Sequence, residues 1–185
     1  MMQQRLKNRD GSPHTIVPID KQWPGYNHVT EVSLIMPNLY LTCIHRAIEP
    51  GTLRKYGITH VVNISNVDYY SNSSSEFLLH HSGLKGFLNI PNITDTPHTN
   101  IYPELKRSVA FIENALTREG GTVLVHCYMG ISRSATIVLA YLMKSQKWSL
   151  REAVTYLCAR RKCVKPNDGF LEQLMEWQLE INSCS

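Results

Sequence analysis

The feature that most constrains this 185-residue chain is the segment 122–136, TVLVHCYMGISRSAT. Its first residues, Thr122–Val125, form a β-branched apolar run that is typical of a buried strand. From Ser134 onward the residues are helix formers, so the residues between the two runs form a turn from a strand into a helix. Such a turn places its side chains at a helix N-terminus, and we expect the chemistry of the chain to lie there.

The turn contains a thiol, Cys127, and a guanidinium group, Arg133. A cysteine is nucleophilic as a thiolate, and the unpaired N–H groups of a helix N-terminus favour the anion, so we expect a lowered pKa for Cys127. The loop can curl with its N–H groups inward, and Gly130 permits the positive φ that such a curl requires. Arg133 offers two donors to two oxygens of a tetrahedral dianion. The pattern therefore predicts a nucleophile and a phosphate-binding loop in one short segment.

The residues on either side of this loop have supporting roles in the same interpretation. The Ser134 hydroxyl is expected to donate to the sulfur and make it a better leaving group. His126 is expected to hold the loop through its ring nitrogens, because a pre-ionised thiolate needs no base. The predicted catalytic residues of the segment are Cys127, Arg133, Ser134 and His126, and the predicted phosphate-binding residues are Cys127, Tyr128, Met129, Gly130, Ile131, Ser132 and Arg133.

Residues 126–134, HCYMGISRS, resemble the H-C-x-x-G-x-x-R-[S/T] signature of cysteine-dependent protein phosphatases. Two later segments, AYLM at 140–143 and PNDGF at 166–170, resemble the dual-specificity branch, and the resemblance extends from about residue 29 to residue 181. It implies a small atypical dual-specificity phosphatase without a kinase-docking domain. From the residues alone, the alternative is a buried structural cysteine beside a chance arginine.

The length of the chain is that of one domain. Residues 1–28 are polar and without a sustained period, so we expect an N-terminal tail or a strap over the domain surface. Residues 29–181 are predicted to form the dual-specificity phosphatase catalytic domain, and residues 182–185 a C-terminal tail. Because strands alternate with helices, the fold class is α/β, and the resemblance implies a central mixed sheet flanked by helices, protein tyrosine phosphatase-like. Strands are predicted at 32–36, 39–42, 59–64, 77–79 and 86–90, and helices at 47–55, 105–116, 134–147, 150–158 and 170–181.

Catalysis by a thiolate requires a carboxyl group above the loop, because an alkoxide or phenolate leaves badly without a proton. Asp95 is the preferred candidate because it lies in a polar turn, 92–97, that follows a strand. It precedes Cys127 by 32 positions, a spacing similar to that of the general-acid aspartate in dual-specificity phosphatases. The alternative is that Asp95 only forms an Asx turn. The other candidate acids are Asp68, Glu76 and Glu104.

Residues after the loop also have two interpretations each. Asn167 resembles the family asparagine that steadies the phosphate loop from the following segment, and its alternative role is a helix N-cap. A basic cluster either attracts acidic phosphosubstrates or, as we favour, complements a helix C-terminus and is solvated. The cluster consists of Arg160, Arg161, Lys162 and Lys165.

Composition and cysteine usage exclude several classes of protein. No apolar run reaches the ~18 residues of a membrane span, and the N-terminus has no signal-peptide core, so we expect no membrane association and a location in the cytoplasm or also the nucleus. Five cysteines without a C-x-x-C pair argue against a disulfide framework and a zinc knuckle. No metal or other cofactor is expected, Cys158 is expected in the core, and no cysteine adjacent in sequence is placed to protect Cys127.

The predicted function is hydrolysis of phosphotyrosine, and of phosphoserine or phosphothreonine, through a cysteinyl-phosphate intermediate. The expected partners are phosphorylated proteins, with kinases among the candidates. The uncharged loop side chains disfavour a highly anionic lipid head group. One alternative is a phospho-dependent binding or scaffold protein, as in relatives that lose the cysteine. The other is an RNA 5′-phosphatase, but no basic platform interleaved with aromatic residues is present, so no nucleic-acid partner is expected.

Overall fold

The computed structural model describes residues 6–7, 13–14, 29–49, 51–67, 69 and 83–183. The predicted strand at 77–79 and the candidate acids Asp68 and Glu76 lie outside these residues, as does most of the predicted tail at 1–28. Within that tail, Leu6–Lys7 (β1) and Pro13–His14 (β2) pair as a short antiparallel ladder.

A five-stranded mixed sheet forms the centre of the domain, in the order β3-β4-β7-β5-β6. β3 and β4 are antiparallel and are joined by a tight turn in which Asn38 has a φ of 63°. The pairs β4–β7, β7–β5 and β5–β6 are all parallel, so the predicted mixed sheet is confirmed. The strands are Ser33–Met36 (β3), Leu39–Cys43 (β4), His60–Asn63 (β5), Gly86–Asn89 (β6) and Val123–Cys127 (β7).

Six helices flank the sheet in the described part of the chain. They are Ile44–Ala47 (α1), Thr52–Lys55 (α2), Tyr102–Thr117 (α3), Arg133–Gln146 (α4), Leu150–Arg160 (α5) and Asp168–Ser183 (α6). None of these helices has the length and apolarity needed to cross a membrane.

The predicted single helix over 47–55 is wrong: one short helix, α1, ends at Ala47, and a second, α2, begins only at Thr52. Gly51 precedes α2 with a φ of 87°, a left-handed conformation that interrupts a helix. Proline at position 50 also disfavours helical dihedrals at Glu49 before it.

Helix α4 is the buried centre of the helical layer. It contacts β7 as well as α3, α5 and α6, and its residues from Arg133 to Met143 are buried. Trp177 of α6 donates its indole N–H to the Ala140 carbonyl at 3.1 Å, which ties the last helix to this centre. Because α4 is apolar on nearly all sides, its position is fixed by packing, and its N-terminus is fixed with it.

The parallel strands β4 to β7 all end at the same edge of the sheet, where Cys127 is the last residue of β7. In open α/β sheets, ligands bind outside the carboxyl ends of the strands. The fold therefore places the turn between β7 and α4 where a binding site is expected.

The N-terminus of α5 has the capping box that the sequence contains. The Ser149 hydroxyl accepts from the Glu152 N–H, and the Glu152 carboxylate accepts from the Ser149 N–H. Ser149→Ala removes this cap, so we expect a loss of about 1 kcal/mol in the free energy of unfolding, measured by urea denaturation. Ser149→Thr keeps a hydroxyl that both accepts from the Glu152 N–H and donates to the Glu152 carboxylate, so it should remain close to the parent protein. Equal stability of the Ala and Thr variants would show that the cap contributes nothing.

Candidate active site

The loop between β7 and α4 is the candidate active site. Gly130 has a φ of 69°, and a Cβ at this position would lie 2.5 Å from the Thr42 carbonyl oxygen of β4. Only glycine combines the left-handed conformation with so close an approach to a neighbouring strand. The loop is therefore curled tightly against the end of the sheet, as the sequence predicts.

Three carbonyl groups of this loop are held on its outer side. The Tyr128 carbonyl accepts from the N–H of Ile44 at 3.1 Å, and the Ile131 carbonyl accepts from the N–H of Lys165 at 2.9 Å. The Gly130 carbonyl accepts from Arg161 Nε at 2.8 Å. In a trans peptide, C=O and N–H point in opposite directions, so outward carbonyls turn the following N–H groups inward. The loop thus presents converging donors, which suits a tetrahedral oxyanion.

The Cys127 thiol lies at the base of this concave loop. Its Sγ accepts from the N–H of Gly130 and from the hydroxyl of Ser134, both at 3.1 Å. Burial by itself raises the pKa of Cys127, but the Arg133 guanidinium, the Ser134 hydroxyl and the N–H groups of Ser134 and Gly130 together lower the pKa below the ordinary thiol value. The site therefore favours the thiolate even though the side chain is buried.

Arg133 begins α4 and lies beside the thiol. Its Nη1 donates to the Ile93 carbonyl at 3.2 Å, which orients the guanidinium plane. Its Nε is buried and has no hydrogen-bond partner among the described residues, and it lies 3.8 Å from Asp95 Oδ2. A buried donor without a partner is costly, so this N–H is suited to an oxygen of a bound anion.

His126 is completely buried next to the nucleophile. Its Nε2 lies 2.5 Å from the Tyr69 hydroxyl, and its Nδ1 lies 3.3 Å from the Cys127 carbonyl oxygen. Burial, with a smaller contribution from the Arg133 charge, lowers the pKa of His126 to about 4, against the opposing effect of the Cys127 carbonyl. A neutral ring in this position accepts from Tyr69 and donates to the backbone. The geometry agrees with a supporting role, and Tyr69 is a partner that the sequence analysis did not identify.

Asp95 lies at the rim of the loop. Its Oδ1 accepts from the Ser132 hydroxyl at 2.6 Å and from Asn167 Nδ2 at 2.9 Å, and its side chain is about one-third exposed. Of the competing carboxylates, Glu104 lies in the first turn of α3 and pairs with Arg107 at 3.5 Å. The structure therefore brings Asp95, and not Glu104, to the loop between Cys127 and Arg133.

Asn167 makes contacts at both places that the sequence analysis considered, the start of α6 and the loop with its neighbouring acid. Its Oδ1 accepts from the N–H of Phe170 at 3.0 Å, so it caps α6. Its Nδ2 donates to Asp95, and its backbone N–H donates to the Ser132 hydroxyl at 3.3 Å. A single side chain thus ties the start of α6 to the candidate acid.

A close backbone contact supports the same arrangement. A Cβ at Gly169 would collide with the Pro97 carbonyl, so only glycine lets α6 approach the 92–97 turn this closely. Further along α6, Gln173 donates to the Thr99 carbonyl at 2.9 Å. The turn that carries Asp95 is therefore positioned by the last helix of the domain.

Similarity to known proteins identifies the family of the chain. The model of the dual specificity phosphatase catalytic domain matches residues 39–180. The chain belongs to the dual specificity phosphatase family. It is 38% identical over 153 residues to human dual specificity protein phosphatase 16, an alignment that covers 80% of this chain and 21% of that relative, so the chain spans about a fifth of the relative's length.

Solved structures of the family have the same fold. Human DUSP28 superposes with a TM-score of 0.72 at 28% identity, covering 83% of this chain and 100% of that one. A mouse putative dual specificity phosphatase, in complex with zinc tungstate, superposes with a TM-score of 0.72 at 27% identity. The superposition covers 91% of this chain and 96% of the mouse chain. The predicted α/β fold of the protein tyrosine phosphatase type is confirmed.

One prediction about the basic cluster is wrong. Arg161 is not solvated: only 1% of its surface is exposed, and its guanidinium bonds to the loop and to the segment before β3. Its neighbour Arg160 fits the favoured interpretation, because Nη1 donates to the Tyr156 carbonyl near the C-terminus of α5. The sequence does not show which of the two arginines is buried. The acceptors of Arg161 are mostly backbone oxygens, and every residue has one, so no residue type in the sequence indicates them.

The cysteines of the described residues are free thiols. Cys158, predicted to be in the core, packs against it but remains partly exposed. Cys43 is completely buried and lies directly opposite Cys127 in the β4–β7 register. A second thiol is therefore close to the nucleophile in space, on a different strand, although none is adjacent in sequence.

The hydroxyl of Ser134 generates a prediction about acidity. Since its donation to Sγ lowers the pKa of Cys127, Ser134→Ala should raise that pKa. Alkylation of Cys127 by iodoacetamide, followed by peptide mass mapping across pH, should then show a midpoint at higher pH than in the parent protein. Ser183→Ala, an exposed serine at the end of α6, is the matched control. Coincident profiles for parent and Ser134→Ala would contradict the assignment.

Proposed function

We propose that the chain is a protein phosphatase that hydrolyses phosphotyrosine, and phosphoserine or phosphothreonine, through a cysteinyl-phosphate intermediate. One observation supports this most strongly: the Cys127 thiol, with its lowered pKa, lies at the base of a loop whose N–H groups converge, beside an Arg133 donor without a partner. These groups are what in-line attack on a phosphate monoester requires.

In the first step, the Cys127 thiolate attacks phosphorus and the bond to the substrate oxygen breaks. The inward N–H groups and the free Nε of Arg133 stabilise the equatorial oxygens as charge develops on them. Asp95 gives its proton to the departing oxygen. Its Oδ1 is held by Ser132 and Asn167, and its Oδ2 lies 3.8 Å from Arg133 Nε, on the side of the anion-binding donors, from which it can reach the leaving group.

In the second step, water attacks the phosphocysteine and the sulfur leaves. Asp95, now a carboxylate, accepts a proton from this water. The hydroxyl of Ser134 and the N–H of Gly130 donate to the sulfur and stabilise it as a thiolate leaving group. Inorganic phosphate then leaves, and the enzyme returns to its initial state.

Protein substrates are the favoured class for two reasons. Family members are named protein phosphatases, and the side chains of the loop between Cys127 and Arg133 carry no charge. A lipid head group with several phosphates would gain no lysine contacts from this loop. A phospho-dependent scaffold role would need only binding, so turnover of a phosphoester separates the two functions.

The deciding experiment concerns Cys127→Ser. Because a serine hydroxyl is not ionised at neutral pH, hydrolysis of para-nitrophenyl phosphate and of phosphotyrosyl peptides should fall by roughly 10⁴-fold or more. The loop remains, so inorganic phosphate should still bind, as measured by calorimetry. Cys158→Ser, on α5, is the control and should retain activity. Substantial turnover by purified Cys127→Ser would exclude the covalent mechanism, and an inactive parent protein that still binds phosphopeptides would favour the scaffold.

The role of Asp95 predicts a dependence on the leaving group. Asp95→Asn keeps the shape and an acceptor for Ser132 but cannot supply the proton. It should slow hydrolysis of alkyl phosphates and phosphotyrosine strongly, and that of an aryl phosphate with an acidic phenol much less. A plot of log(kcat/KM) against leaving-group pKa should be shallow for the parent and steep for the variant. Parallel plots would mean that Asp95 is only a structural turn residue.

A further inference from the structure

Arg161 is a buried charge that the mechanism above does not use. It is among the largest fully buried side chains of the described residues, and it forms no ion pair among them. A buried cation costs free energy unless its donors are satisfied. Its donors are satisfied by the Gly130 carbonyl at 2.8 Å, the Val29 carbonyl at 2.8 Å, the Glu31 carbonyl at 2.9 Å and the Ser33 hydroxyl at 3.1 Å.

One of these bonds has a direct consequence for anion binding. Arg161 Nε holds the Gly130 carbonyl on the outer side of the loop, and the Ile131 N–H of the same peptide unit therefore points inward. The two other outer donors, the N–H groups of Ile44 and Lys165, belong to the backbone. Of the three outer contacts, Arg161 alone is made by a side chain.

The other bonds of Arg161 fix its own position. Nη1 and Nη2 reach the carbonyls of Glu31 and Val29 and the Ser33 hydroxyl, all before or at the start of β3. The planar guanidinium joins these groups to the Gly130 carbonyl in one rigid unit, which a lysine with a single nitrogen cannot reproduce. A Cβ at Gly130 would lie 2.7 Å from Arg161 Nη2, so the loop and the arginine are in direct contact.

We infer that Arg161 is a positioning residue for oxyanion binding, which holds the Gly130–Ile131 peptide with its N–H directed at the substrate phosphate and couples the loop to residues 29–33. The inference rests on the proposed function for its catalytic consequence. Its binding consequence stands without turnover, because inorganic phosphate uses the same N–H groups.

The test compares Arg161→Met with Arg160→Met, a matched control in the same segment. Arg160 lies over the Tyr156 ring at 3.3 Å and makes no bond to the loop, so its removal should leave phosphate binding unchanged. Arg161→Met should weaken the binding of inorganic phosphate, measured by calorimetry, by about tenfold or more, because a charge-assisted hydrogen bond is lost or misdirected. The value of kcat for para-nitrophenyl phosphate should fall together with the affinity for phosphate.

A second measurement separates positioning from stability. In the parent protein, the Ile131 amide resonance should shift when phosphate is added, and in Arg161→Met this shift should be largely lost while other loop amides still respond. Arg161→Lys keeps the charge but not the planar pair of donors, so its phosphate affinity and its Ile131 shift should lie between those of the parent protein and those of Arg161→Met. If Arg161→Met does not fold, the Lys variant decides the question by the same two measurements.

Three results would be unambiguous. A folded Arg161→Met or Arg161→Lys protein with parent affinity for phosphate and a parent Ile131 shift would overturn the inference and leave Arg161 a purely structural residue. Loss of phosphate affinity in Arg160→Met equal to that in Arg161→Met would also overturn it. A parent protein that binds phosphate in an Arg161-dependent way but hydrolyses no phosphoester would support the inference while the proposed function fails.

Discussion

The site depends on the orientation of a few peptide groups. A loop whose N–H groups converge is unfavourable by itself, because like dipole ends face one another and no local secondary structure satisfies them. Here the opposite ends of three such groups are bonded from outside, by the N–H that opens α1, by the N–H of Lys165 and by the side chain of Arg161. The N–H of Gly130, which donates to the Cys127 sulfur and helps to lower its pKa, belongs to the loop that these contacts hold.

The candidate acid is held by a second set of contacts. Asn167 caps α6 and donates to Asp95, and the absence of a side chain at Gly169 lets the start of α6 approach Pro97. Ser132 belongs to the phosphate-binding loop and bonds to the same carboxylate oxygen. The positions of Cys127 and Asp95 relative to each other are therefore fixed both by the loop itself and by the last helix. A rigid scaffold of this kind keeps reacting groups at productive distances.

Local chemistry explains which features the sequence predicts well. The β7–loop–α4 unit is visible because strand, glycine and helix signals follow one another within one short segment, and Asp95 is visible because it lies in a polar turn after a strand. The predicted helix at 47–55 was wrong because Gly51 adopts a left-handed conformation that interrupts a helix. Arg161 was wrongly predicted to be solvated, and Tyr69 was missed, for a different reason. Their partners are backbone oxygens and a histidine ring far away in sequence, and no local pattern encodes such contacts.

The separation of these partners along the chain has a consequence for folding. Arg161 bonds across 132 positions to Val29, and Asn167 bonds across 72 positions to Asp95, while the central strands pair in parallel. Non-local pairing of this kind makes folding slow, because chain entropy is lost before the contacts form. The groups that lower the pKa of Cys127, on Gly130, Arg133 and Ser134, are close to it in sequence, but the loop that orients them is held by contacts from distant segments. We therefore expect the thiol to acquire its lowered pKa late in folding, when those segments have met.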